Sequence, residues 1–112
     1  MKKEKAAAKL KLSILMPVRN EGANLKMVLK IINALMEAPY EILVVYDSPD
    51  DDSIQIAAEM QKKQPAVRPL HNTLGRGVVN AVRSGVEAAR GEYVLILPAD
   101  DVGAVFGINP ML

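Results

Sequence analysis

The run Tyr93-Val94-Leu95-Ile96-Leu97 passes without a charge into Pro98-Ala99-Asp100-Asp101. Such a run of aliphatic and aromatic residues leaves no polar face. It reads as a strand with both faces covered, as in the middle of a parallel sheet. Open α/β sheets hold their ligands in the crevice beyond the carboxyl ends of the strands. Two adjacent carboxylates at that point repel each other unless they are solvated, cap a helix or bind a cation. A chain with this element has to supply helices for both faces of a sheet.

The preceding residues supply them. Leu12 to Met16 is a short apolar run closed by Pro17, and Ile42-Leu43-Val44-Val45 lies inside a second one, Glu41 to Tyr46. Between them, Asn20 is placed to cap a helix with Glu21 in its first turn, where a carboxylate suits the dipole. Leu25, Val28, Leu29, Ile32 and Leu35 form its apolar stripe, and the helix should stop before Pro39. After the second strand, Asp47-Ser48-Pro49-Asp50-Asp51-Asp52-Ser53 is a turn rich in capping side chains. The helix that follows turns Ile54, Ala57, Ala58 and Met60 inward and ends near Gln64-Pro65. Val67 to His71 is a third strand, which Pro69 makes short or places at a sheet edge. Asn72 to Gly77 is a loop opening a third helix, lined by Val78, Val82, Val86 and Ala89, with Gly91 expected as a left-handed C-cap. The order β-α-β-α-β-α-β argues for a parallel α/β sheet with right-handed crossovers. Val102 to Leu112 is apolar without a clear period.

The chain has 112 residues, 50% hydrophobic and 24% charged, which is the balance of one globular domain. A net charge of +1 gives no footprint for nucleic acid. The absence of cysteine rules out disulfides and thiol chemistry, and a single histidine, His71, rules out a histidine-rich metal site. No apolar run has the length of a membrane span. Residues 1–11, rich in lysine and alanine, read as a flexible solvated tail without the apolar segment of a signal peptide. The expected location is cytoplasmic, or membrane-peripheral within a longer protein.

Four stretches carry candidate chemistry, each with a plainer alternative. Pro17-Val18-Arg19-Asn20-Glu21 is either a nucleotide-contacting loop or a helix start after a strand-ending proline. Asp47 either accepts hydrogen bonds from a base or ribose, as acids at strand ends do, or forms an Asx turn. Asp50, Asp51 and Asp52 read as caps and turn formers, their spacing lacking the alternation of a calcium loop. Gly75-Arg76-Gly77 either cradles a phosphate or is a tight turn. It is neither a Walker A loop nor a dinucleotide fingerprint. Asp100-Asp101 either binds magnesium or manganese, with water and phosphate completing the shell, or caps a following helix.

In their order along the chain these motifs resemble those of the family 2 glycosyltransferases, and within them the dolichyl- or polyprenyl-phosphate sugar transferases. Ser13 to Glu21 is similar to the family's opening strand and its Pro-x-Tyr-Asn-Glu motif. Glu41 to Ser53 is similar to its second strand and Asp-Asp-x-Ser-x-Asp turn. Gly75 to Val94 resembles its Gly-rich helix and the approach to strand four, and Leu97 to Asp101 falls on its Asp-x-Asp site. The resemblance implies a Rossmann-like GT-A nucleotide-sugar-binding domain, mostly parallel with helices on both faces. Residues 12–112 would be the N-terminal part of the family domain, without its acceptor half. It implies a donor pocket of Pro17, Arg19, Glu21, Val45, Asp47, Arg76 and Asp100. It implies Mg2+ or Mn2+ on Asp100 and Asp101, a UDP- or GDP-linked sugar as donor, and a polyprenyl phosphate as one acceptor. Three positions depart from the pattern: Arg19 stands for an aromatic residue, Tyr46 for the first aspartate of the second-strand pair, and Pro98 for the first aspartate of Asp-x-Asp. The rival readings are a non-catalytic nucleotide-sugar-binding fragment or a partner-packing module, and a sugar nucleotidyltransferase, whose glycine-rich opening after strand one is missing.

Overall fold

The computed structural model describes residues 10–111. Four parallel strands, β1 (Leu12–Pro17), β2 (Tyr40–Tyr46), β3 (Val67–His71) and β4 (Tyr93–Ile96), form one sheet in the order β3-β2-β1-β4. Between them run α1 (Gly22–Leu35), α2 (Ser53–Lys63) and α3 (Val78–Ala88), and two short helices follow, α4 (Val102–Val105) and α5 (Ile108–Met111). The strand order reverses between β1 and β4, as it does in doubly wound folds. Register sets Pro17 beside Val45 and Tyr46 beside His71, so the loops after β1, β2 and β3 emerge along one edge.

Alternate residues of β1 face opposite helices, as a strand's period of two requires. Leu12, Ile14 and Met16 join Ile42 and Val44 beneath Leu25, Val28, Leu29 and Ile32 of α1 and Ala57 and Met60 of α2. Leu15, Leu43 and Val45 meet Ala81 of α3 on the other face. Each of the larger aliphatic side chains contributes about 1.5–3 kcal/mol by leaving water. Pro69 lies on an edge strand, as expected. Of the expected tail, residues 1–9 lie outside the described residues, while Leu10 and Lys11 accept hydrogen bonds from Glu92 and Tyr93 and Lys11 donates to Pro39. The aperiodic end is ordered by packing: Val105 and Ile108 enter the α1 cluster, and the Asn109 amide donates to the Leu35 carbonyl at 2.6 Å, capping the end of α1.

Four sequence expectations fail for physical reasons. Among the described residues β4 lies at the edge of the sheet, not in its middle, and Tyr93, Val94 and Ile96 are 52%, 43% and 50% exposed. The cause is placement: α3 lies over β1 and β2, so among the described residues no helix covers the Val94–Ile96 face of β4. Second, α3 turns Ala81 and Gly85 to the sheet while Val78 and Val86 are exposed. A Cβ on Gly85 would lie 2.9 Å from the Leu15 methyls, so only a small residue permits this close approach. Third, Gly91 is not left-handed; the described positive-φ glycines are Gly75 and Gly77. A Cβ on Gly91 would stand 2.5 Å from the Ser13 nitrogen, so glycine is needed there for packing. Fourth, Ala58 of α2 faces solvent.

The strands' starting ends are tied by Glu41, buried at 3% exposure. Its Oε2 accepts the Ser13 hydroxyl and the Arg90 amide, both at 2.6 Å. Its Oε1 accepts Arg68 Nη2 at 3.0 Å and Nε at 3.2 Å. Arg68 also donates to the Ala88 carbonyl at 3.1 Å. One carboxylate thus joins β1, β2, β3 and the turn before β4.

Candidate nucleotide-sugar site

The loops after β1 and β2 and the start of α3 enclose a cleft of about 670 Å3 at the carboxyl edge of the sheet. Pro17, Arg19, Glu21, Val45, Asp47 and Arg76 all line it. Residues far apart in the chain meet here because adjacent parallel strands end at one level. Asp100 and Asp101 do not line this cleft. They follow β4, on the far side of β1, and both are exposed. Asp101 occupies the N-cap position of α4, but its side chain makes no capping hydrogen bond. Among the described residues no three His, Asp or Glu side chains gather as a metal cage. Two exposed carboxylates still suit a magnesium-type ion, which keeps several waters and takes the rest of its shell from substrate phosphate.

Asp47 is held by its neighbours. Asn72, buried at the end of β3, donates to Asp47 Oδ1 at 2.6 Å and to the Gly75 carbonyl at 2.7 Å. The Gly77 amide donates to Asp47 Oδ2 at 3.2 Å. The Asn72 hydrogen bond is the main cause that lowers the Asp47 pKa from 3.8; the Gly77 amide and the charges of Arg76 and Arg19 assist, against a smaller opposing effect of burial. Asp47 is therefore an ionised acceptor facing the cleft between two arginines. Asn72 also accepts the Leu74 amide and the Ser84 hydroxyl, so one amide fixes both Asp47 and the loop into α3. The sequence reading did not single it out, its only signal being an amide residue at a strand end. His71 stacks on Tyr46 with centroids 5.0 Å apart and donates from Nε2 to the Asp47 carbonyl at 3.0 Å.

The β1 loop departs from local capping. Asn20 does not cap α1; Glu21 is the N-cap residue and no acid lies in the first turn. Asn20 takes a left-handed conformation with φ 54°, which asparagine tolerates better than most residues. The amides of Asn20, Glu21 and Gly22 donate to Asp51 Oδ1, Ser53 Oγ and Asp52 Oδ1, at 3.0, 2.8 and 3.0 Å. In return Asn20 Oδ1 accepts the Asp52 amide at 3.1 Å. Asp51 Oδ1 also closes its own turn by accepting the Ser53 amide at 2.8 Å. The expected turn-forming role of Asp51 is present, joined to a cross-loop one.

Strand order 3-2-1-4, helices on both faces and a cleft beyond the strand ends define a Rossmann-like α/β domain of the GT-A type. The description of glycosyl transferase family 2 matches residues 13–104, and the chain belongs to that family. It is 35% identical over 92 residues to a dolichol-phosphate mannosyltransferase of Pyrococcus furiosus, covering 81% of this chain and 26% of that protein. It is 32% identical over 91 residues to the uncharacterised glycosyltransferase YibD of Escherichia coli, again over 81% of this chain and 26% of the other. Among solved structures, the mannosyltransferase PcManGT of Pyrobaculum calidifontis, in complex with GDP-Man and Mn2+, superposes with a TM-score of 0.71 at 22% identity. That match covers 84% of this chain and 28% of the other. Glucosyl-3-phosphoglycerate synthase of Mycobacterium tuberculosis, with Mn2+, UDP and glucosyl-3-phosphoglycerate, gives 0.62 at 21% identity, over 86% and 36%. The chain thus spans about a quarter of the two sequence relatives.

Proposed function

We propose that this chain is the donor-binding part of a family 2 sugar transferase and takes a UDP- or GDP-linked sugar in the cleft between β1, β2 and α3. The observation that carries the reading is the meeting of Pro17, Arg19, Glu21, Val45, Asp47 and Arg76 around one cavity. Its volume suits a small ligand. The ionised Asp47 carboxylate, held by Asn72, accepts N–H or O–H groups of a base or ribose, and Arg19 offers a planar guanidinium for stacking. Arg76, at the opening of α3, offers charge to phosphate oxygens. Asp100, with Asp101, would hold Mg2+ or Mn2+. When bound, such an ion neutralises the charge that develops on a departing nucleoside diphosphate. In the intact reaction the sugar passes to an acceptor, a polyprenyl phosphate being the class that the sequence relatives suggest.

Calorimetry of the chain with UDP, GDP and their sugars, with and without Mn2+, tests this. The expected result is binding of one nucleotide class that tightens with Mn2+. Absence of binding to every nucleotide overturns the proposal. Release of nucleoside diphosphate in the same samples separates a turnover-competent chain from a binding module.

A further inference from the structure

The cleft's β1 wall is a segment whose two cleft-lining residues, Arg19 and Glu21, flank a residue in the left-handed region. Locally, Asn24 Nδ2 donates to Glu21 Oε1 at 3.1 Å, a bond that does not involve the backbone amides of the segment. The pin comes from the other loop: three successive amides, of residues 20, 21 and 22, are each accepted by a side chain of the β2 loop. Asp51 is 8% exposed and Ser53 fully buried, so these acceptors have little access to water. Gly22 is shaped to the contact, since a Cβ there would lie 3.2 Å from both the carbonyl oxygen and Oδ1 of Asp52. Asp51 also lines the cleft, yet its Oδ1 is already shared between two backbone amides.

We propose that Asp51, seconded by Ser53 and Asp52, is a positioning residue: it sets the conformation of the Arg19–Glu21 segment and, through it, the shape of the nucleotide site. Its effect on ligand is indirect, through the backbone of Asn20. The link to nucleotide affinity rests on the functional reading above; the link to loop conformation does not.

The test uses the full chain. Hydrogen exchange at the Asn20, Glu21 and Gly22 amides is read by NMR without ligand, and binding of the nucleotide that wild type prefers is read by calorimetry. Asp51→Ala removes the acceptor, whereas Asp51→Asn keeps an oxygen able to accept both amides. Loss of a buried bond to a charged acceptor should raise Asn20 exchange about tenfold or more and weaken nucleotide binding by a similar factor. Asp51→Asn should stay within about threefold on both readouts, a charge-neutral rescue that positioning predicts. Unchanged exchange in Asp51→Ala overturns the proposal. So does equal loss of binding in the Ala and Asn variants, which would mean that the carboxylate touches the ligand directly. Should Asp51→Ala not fold, Asp52→Ala, which alters an exposed side chain accepting one amide, should raise exchange at Gly22; no change there overturns the proposal as well. If wild type binds no nucleotide, exchange still decides the inference and only the functional reading fails.

Discussion

Replacing Glu41 with glutamine exchanges one carboxylate oxygen for an NH2 group and leaves the shape almost unchanged. The four groups around the carboxylate are all donors: the Ser13 hydroxyl and Arg90 amide at Oε2, and two Arg68 nitrogens at Oε1. A glutamine must turn its own donors toward one of these pairs, so at least one side is left donor against donor. Breaking a buried ion pair costs about 3–5 kcal/mol. The Arg68 side chain is 28% exposed, so water recovers part of its loss and the lower end applies. We expect Glu41→Gln to lower unfolding free energy by about 3 kcal/mol, a large share of the roughly 5–15 kcal/mol typical of a domain. Urea denaturation monitored by circular dichroism would read this as a lower midpoint with an unchanged slope. A cycle with Arg68→Met adds a second check, because residues in one network should show non-additive losses. A loss below about 1 kcal/mol, or full additivity in the cycle, would refute the idea that this carboxylate ties the three strands together.

Other consequences are open to equally direct tests. Asp47 has a folded pKa below its unfolded value, so its stabilisation is present above the ordinary 3.8 and is lost as pH falls through the lower folded value. Asp47→Asn should therefore flatten the stability curve on the acid side of about pH 4, measured by urea midpoints across that range. Gly91→Ala forces a methyl to 2.5 Å from the Ser13 nitrogen and should destabilise by about 3 kcal/mol or prevent folding, read by thermal melting. Asp100→Asn should abolish most of the Mn2+-dependent gain in nucleotide affinity while leaving affinity in chelator within about threefold of wild type, read by calorimetry.

The sequence revealed most where one residue's environment lies near it in the chain. The stripe of Leu25, Val28, Leu29 and Ile32 and the runs of β1 and β2 needed only periodicity, and Pro69 marked its edge strand by lacking a donor. The run in β4 misled because apolar character records what a strand avoids, namely water, and not which neighbours the fold supplies. The valines of α3 misled in the same way: the face meeting β1 is chosen by how closely two backbones approach, and there Gly85 and Ala81 win over larger side chains. Gly91 was assigned to backbone conformation when its reason is the Ser13 backbone across the sheet. The residues that line the cleft could be named because motif order survives in the chain, and parallel strands deliver their ends to one level. The partners that hold them could not, since Asn72 and Asp51 act across 25 and 31 residues of sequence. Asp100 stands apart from the cleft because β1 separates its loop from those after β2 and β3.

The exchange between the β1 and β2 loops also fixes the electrostatics of the cleft. A helix N-terminus ordinarily attracts anions through its free amides and positive pole. At α1 the first helical amide, of Gly22, is already bound to Asp52, and the amides of Asn20 and Glu21 just before the helix are bound to Asp51 and Ser53, two of these partners being carboxylates. The start of α1 thus has part of its donor set occupied from within the chain, with two carboxylates beside it. Arg19 and Arg76 are the cationic residues lining the cavity, and Arg76 lies on the side away from α1. A phosphate in the cleft is consequently drawn by these two guanidinium groups more than by the start of α1.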